Sequence, residues 1–208
     1  MSEGHEYFRI GDIEISPDNK IMAYSVDTVS RRIYSIYFKN LETGITSSKI
    51  IPNTSGSITW ANDNKTIFYN LKDLETLRTE RVMKYVLDTN GSEKEIYYEE
   101  DETFSVYSYK TKSDKFIVIG SSATLSQEYR YIDASNPDGD FILFDKRVDG
   151  LEYSISHFKN KWYILTNKDN ATNFKLMVCN EKNTKKENWD EFISHNEETL
   201  LEGIDIFK

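Results

Sequence analysis

Ser16-Pro17-Asp18-Asn19-Lys20-Ile21-Met22-Ala23-Tyr24-Ser25 is the first statement of a phrase that the chain makes four times. It returns as ANDNKTIFYN at Ala61–Asn70, as KSDKFIVIGS at Lys112–Ser121 and as KNKWYILTN at Lys159–Asn167. Each copy is a short polar turn ending in a lysine, followed by a run of aliphatic and aromatic residues. The lysines, at 20, 65, 115 and 161, are 45, 50 and 46 residues apart. A fixed period of this size is the mark of a repeat architecture.

Working outward from the phrase, each copy shows four strand-like parts. A lead-in strand precedes it at Asp12–Ser16, Ser57–Trp60, Phe104–Tyr109 and Tyr153–Phe158. The phrase supplies the second strand. A third follows at Ile33–Lys39, Arg81–Leu87, Tyr129–Asp133 and Phe174–Cys179. A fourth follows at Ile45–Ile50, Glu95–Tyr98, Asp140–Phe144 and Trp189–Ile193. Turn chemistry sits between third and fourth strands, as Glu42-Thr43-Gly44 and Thr89-Asn90-Gly91. Four short antiparallel strands per repeat predict an all-β fold, a β-propeller fragment of about four four-stranded blades. The blades are expected at about 10–51, 56–100, 103–147 and 150–195, after a lead-in segment at 1–9. Residues 200–208 match the opening strand of a repeat, and an orphan first strand of a fifth blade is expected there.

Pro52–Gly56 reads as the linker between the first two blades. The acidic run Glu99-Glu100-Asp101-Glu102 reads as a solvated connection, and its spacing does not fit a calcium loop. Asn183–Glu191, rich in Lys, Glu and Asn, reads as an exposed loop. Four blades either close into a small ring or stay an open arc, and the abrupt finish favours an excised piece of a larger propeller. An open arc would expose apolar surface and let copies dimerise through free blade edges.

The net charge of −9 argues against nucleic acid or an anionic membrane as partner. Cys179 is the single cysteine, so the chain forms no internal disulfide, and its setting in Leu-Met-Val-Cys reads as apolar packing. The opening MSEGHEYFRI has no apolar signal core and no run reaches membrane-spanning length, so a cytoplasmic compartment is expected. No Gly-x-Ser-x-Gly elbow, no Gly-rich phosphate loop and no metal-ligand spacing of His and Cys occurs. His157, at a strand end beside Phe158, reads as a packed or capping residue. Neither a catalytic site, a metal nor a cofactor is expected from this chain.

The connections between second and third strands are longer than the turns between first and second. In an antiparallel meander they all emerge at one face, where a rigid scaffold presents loops for contact. They are Val26–Arg32, Asn70–Glu80, Ser121–Glu128 and Thr166–Asn173. Asp27, Arg31, Glu75, Arg78, Thr124, Gln127, Asp169 and Asn170 are the candidate contact residues. Glu75 and Arg78 are favoured among them, although opposite charges three residues apart can also pair with each other.

Several stretches carry a more specific resemblance. They are Glu3-Gly4-His5-Glu6-Tyr7 through Lys20 and Ala23-Tyr24-Ser25, Trp60–Thr66, Leu74-Glu75-Thr76-Leu77-Arg78, Ile119-Gly120-Ser121-Ser122, Tyr163–Asn167 and Glu187-Asn188-Trp189. As an ordered set spanning nearly the whole chain, they resemble the propeller of the oligopeptidase B branch of the prolyl oligopeptidase family. The resemblance implies a seven-bladed propeller that admits only short peptides to an α/β-hydrolase domain with a Ser-Asp-His triad. It also implies cleavage after Arg or Lys in the parent protein. The implied partners are that hydrolase domain and short basic peptides. No position here matches the triad, so no catalytic residue carries over. Four blades stand where the family has seven, and Thr79 stands where the family motif continues with Pro. The rival expectation, from another class, is an independent propeller acting as a protein-interaction scaffold.

Overall fold

The computed structural model describes residues 3–87 and 91–207. The first blade consists of β1 (Arg9–Ile15), β2 (Ile21–Asp27), β3 (Tyr34–Asn40) and the start of β4 (Thr46–Trp60). The end of β4 opens the second blade, followed by β5 (Thr66–Lys72), β6 (Thr79–Val86) and β7 (Ser92–Tyr98). The third holds β8 (Ser105–Lys110), β9 (Phe116–Ser122), β10 (Gln127–Asp133) and β11 (Ile142–Asp145). The fourth holds β12 (Tyr153–Phe158), β13 (Lys161–Thr166), β14 (Lys175–Asn180) and β15 (Asp190–Ile193). Every pairing is an antiparallel neighbour along the chain, as in a meander.

The polar end of the repeated phrase has a backbone reason. Asn19, Asn64 and Asp114, each just before its lysine, have φ of 61°, 65° and 58°, and Lys159 has 55°. Asn and Asp tolerate this left-handed region best among residues with a Cβ, and a left-handed residue closes a short hairpin. Each of the first three turns also touches the next blade. The Asp18 N–H donates to Asn64 Oδ1 (2.8 Å), the Asn62 amide to the Asp114 carbonyl (2.9 Å), and Ser113 Oγ meets His157 Nδ1 (2.7 Å).

The apolar end of the phrase has a packing reason. Successive strand side chains point to opposite faces, and the inner blades are covered on both. Ile67 and Tyr69 of β5 pack toward the first blade with Ile36, Phe38 and Trp60, while Phe68 packs the other way with Val106, Ile117 and Ile119. In β9, Ile117 and Ile119 face the second blade, while Phe116 and Val118 face the fourth with Tyr131, Phe144 and Trp162. The three hydrophobic clusters are thus the three seams between consecutive blades. A strand buried on both faces reads as a continuous apolar run rather than an alternation.

Four details depart from the sequence reading. Pro52–Gly56 is not a loose linker: β4 runs unbroken from one blade into the next, with Thr54 opposite both Tyr34 and Leu71. Left-handed Asn53 (φ 63°) and Gly56 (φ 100°) bend the strand without ending it, so two blades form one seven-stranded sheet. A Cβ on Gly56 would lie 2.9 Å from the Tyr34 ring, so glycine is required there by space as well as by φ. The acidic run is not wholly solvated, because Glu99 is buried among hydrogen-bond donors. Asn183–Glu191 is a strap rather than an exposed loop. Thr184 Oγ1 donates to the Phe144 carbonyl (2.7 Å), the Lys186 N–H to Asp145 Oδ2 (2.8 Å), and buried Trp189 joins the seam. Residues 200–207 form no strand, so the expected opening strand of a fifth blade does not occur among the described residues. Thr89 and Asn90 of the expected second-blade turn lie outside the described residues.

Candidate interdomain and substrate-access face

The four loops after β2, β5, β9 and β13 lie at one end of the blades, together with the connections from β7 to β8 and from β11 to β12. Local hydrogen bonding shapes each loop. In the first, Asp27 is fully buried and its carboxylate accepts the Val29 N–H (2.8 Å) and Arg32 N–H (2.7 Å). Asp27 therefore holds the loop and does not face outward as a contact. Arg31 is exposed at the tip. Lys72 Nζ reaches across from β5 to the Arg32 carbonyl (2.7 Å), and burial followed by the nearby Arg32 charge pulls its pKa down.

In the second loop Asp73 accepts the Thr76 N–H (2.6 Å), the Thr76 hydroxyl (2.8 Å) and the Glu75 N–H (3.0 Å). These bonds, Thr76's foremost, hold its carboxyl below the ordinary value. Glu75 is exposed. Arg78 does not pair with Glu75. Its guanidinium instead binds Glu80 (3.0 Å) and donates to the Phe104 (3.0 Å) and Glu99 (3.2 Å) carbonyls. Of the favoured pair, Glu75 alone remains outward.

In the third loop Thr124 is exposed. Gln127 is held at both ends, its Oε1 accepting the Tyr153 N–H (3.0 Å) and its Nε2 donating to the Ala123 carbonyl (3.3 Å). In the fourth, Asp169 (φ 59°) and Asn170 (φ 60°) are both left-handed and exposed. Lys168 (2.9 Å) and Lys175 (3.0 Å) flank Asp169, and they hold its carboxyl below the ordinary value. The structure thus leaves Arg31, Glu75, Thr124, Asp169 and Asn170 outward, and turns Asp27, Arg78 and Gln127 to internal bonds.

Two features of this face escaped the sequence reading. Each of the first three loops carries an exposed aliphatic side chain: Val29 (61% exposed), Leu74 (47%) and Leu125 (56%). Repetition at equivalent loop positions was the available signal, since single exposed apolar residues mean little. Beneath the loops, Glu99 Oε2 accepts the Tyr97 hydroxyl (2.7 Å), an Arg147 N–H (2.7 Å) and the Ser121 hydroxyl, while Oε1 accepts the Asp101 N–H (3.1 Å). Burial acts to raise the Glu99 pKa, but these donors outweigh it and hold the carboxyl below its ordinary value. Arg147 also lies over the Phe104 ring at 4.0 Å. Arg78 and Arg147 together clamp the 99–104 connection.

Ser113, His157 and Glu181 stand in a line, with Glu181 Oε1 2.8 Å from His157 Nε2. His157 is wholly buried against Phe116 and Trp162 in a blade seam. The line therefore fastens two blades. Among the described residues, no group of His, Cys, Asp and Glu has a metal-binding arrangement. No helix among them is long and apolar enough to cross a membrane.

The whole chain, residues 1–208, matches the family described as "Prolyl oligopeptidase, N-terminal beta-propeller domain". It is 37% identical over its full length to dipeptidyl aminopeptidase BI of Pseudoxanthomonas mexicana, covering 29% of that protein. It is 30% identical to protease 2 of Moraxella lacunata, covering all of this chain and 30% of that one. Among solved structures, oligopeptidase B from Leishmania major superimposes with a TM-score of 0.86 at 25% identity, over 94% of this chain and 28% of that one. The chain spans under a third of the length of these relatives.

Proposed function

The chain belongs to the N-terminal β-propeller domain family of the prolyl oligopeptidases, and from that membership we propose that it is part of the access-controlling propeller of a serine oligopeptidase. The parent protein resembles oligopeptidase B in this reading and cuts short peptides after Arg or Lys in the cytoplasm. One observation carries it: an unbroken match over residues 1–208 to peptidases in which this stretch takes up 29–30% of the length. The long-loop face, with Val29, Leu74 and Leu125 outward, meets the hydrolase portion. The blades act by steric exclusion and by positioning, while acyl transfer takes place elsewhere in the parent protein.

The test is a series of fluorogenic peptides, offered to the intact protein that carries this chain, varied only at the residue before the cleaved bond. Cleavage after Arg and Lys and not after Pro or Ala is expected. Cleavage confined to Pro would replace the oligopeptidase B reading within the same family, and no cleavage of any peptide would remove the peptidase assignment.

A further inference from the structure

A small cavity opens on the loop face at the seam between the third and fourth blades. Its volume is about 230 Å³, the liquid share of roughly eight waters. Tyr107, Ser122, Gln127, Tyr129, Glu152 and Phe174 are among its walls. It is built rather than incidental. Tyr107 lies opposite Gly120 across the β8–β9 pair, and a Cβ on Gly120 would stand 2.4 Å from the Tyr107 ring. Glycine there lets the ring lie flat on the neighbouring strand.

The hydrogen-bond directions in the walls are one-sided. The Tyr107 hydroxyl bonds the Tyr129 hydroxyl (3.1 Å), which in turn donates to the Tyr153 carbonyl (3.1 Å). Ser122 Oγ donates to the Ala123 carbonyl (3.3 Å), and Gln127 Nε2 to the same oxygen (3.3 Å). These groups thus donate to protein oxygens, Gln127 Oε1 is taken by the Tyr153 N–H, and among the described residues the Tyr107 oxygen accepts no hydrogen bond. Glu152 supplies the charge: among the described residues its carboxylate takes one long bond, from Asn167 Nδ2 to Oε1 (3.3 Å). No Lys or Arg among the described residues lines the cavity, while the aromatic residues Tyr107, Tyr129 and Phe174 do. A hollow with one lightly bonded carboxylate, an open hydroxyl acceptor and aromatic residues in its walls suits a cation carried on a slim chain.

We propose that this cavity binds an organic cation of a peptide, an ammonium or guanidinium group, with Glu152 as counter-charge and Tyr107 as an oriented acceptor. The inference rests on reading the loop face as a peptide-handling surface. It goes beyond that reading in placing a positive group of the peptide on the propeller itself.

The experiment is calorimetric titration of the intact protein with n-butylguanidinium and n-butylammonium, with n-butanol as the uncharged counterpart. Glu152→Gln is expected to weaken cation binding about tenfold, the scale of a charged hydrogen bond. Tyr107→Phe should weaken it about threefold by removing one neutral acceptor. Both side chains sit at the rim of the seam, and unchanged melting temperatures establish that the variants fold. If the intact protein holds a second cation site, one of two binding events is lost in Glu152→Gln and the other stays. Equal binding of n-butanol, or cation binding indifferent to both substitutions, overturns the proposal. N-acetyl-arginine amide and alanyl-alanine amide separate the sources: binding of the first identifies a basic side chain, of the second a free amino end, and binding of neither overturns the proposal. Cleavage specificity is read separately, so loss of the oligopeptidase B reading and loss of this site are distinct results.

Discussion

Arg147 Nη2 lies 2.7 Å from Glu99 Oε2, and this pair fastens the exit of the third blade to the exit of the second. Glu99 is buried and takes three further donors, so removing the arginine leaves a buried carboxylate short of its counter-charge. Breaking such a pair costs about 3 kcal/mol.

Arg147→Ala is therefore expected to lower unfolding free energy by about that amount, seen as a shifted midpoint in urea with an unchanged slope. The pH dependence has a defined sign. The folded Glu99 carboxyl is held below its ordinary value, so its contribution is present above about pH 4.3 and lost as pH falls through the folded value. Glu99→Gln should flatten the acid limb of the stability curve.

His157 gives a second, separate window. Burial pulls its pKa down more than the bonded Glu181 pulls it up, while nearby Lys115 also lowers it; Ser113 completes the groups facing the ring. The neutral ring is therefore favoured on folding. Its contribution is complete above about pH 6.5 and declines as pH drops from there toward the folded value. Urea midpoints followed from neutral to mildly acid pH should fall in the native chain and stay level in His157→Gln.

Asn64 has left-handed backbone and accepts the Asp18 N–H of the neighbouring turn. Asn64→Val is expected to cost about 2 kcal/mol, since a β-branched residue resists this conformation and the acceptor is lost. Asn64→Gly, which keeps the backbone, should cost about half as much. Thermal melts of the two variants check the order.

Most of the architecture was legible because the repeat combines two independent signals. Asn19, Asn64 and Asp114 mark a turn position that backbone geometry restricts, and Phe68, Ile117 and Val118 mark strands covered on both sides. The continuous β4 was hidden because Pro52 and Gly56 read as punctuation, whereas in the fold Pro52 lies within the strand and Asn53 and Gly56 bend it while it keeps pairing. The burial of Glu99 was hidden for a different reason. Its partners Ser121 and Arg147 are 22 and 48 residues away, and nothing local distinguishes it from Glu100 or Glu102. On the loop face, charge and polarity drew attention to Asp27 and Arg78, which fold inward as loop clamps. The outward Val29, Leu74 and Leu125 were passed over because each looks unremarkable by itself.

In the proposed function this aliphatic-tipped face meets the rest of an oligopeptidase and limits what reaches its active site. The most direct measurement is kcat/KM of the intact protein for a short basic peptide and for unfolded casein, before and after the double change Leu74→Asp and Leu125→Asp. The ratio is expected to move toward casein, with a larger radius of gyration in solution as the face comes away. An unchanged ratio with an unchanged radius would contradict it.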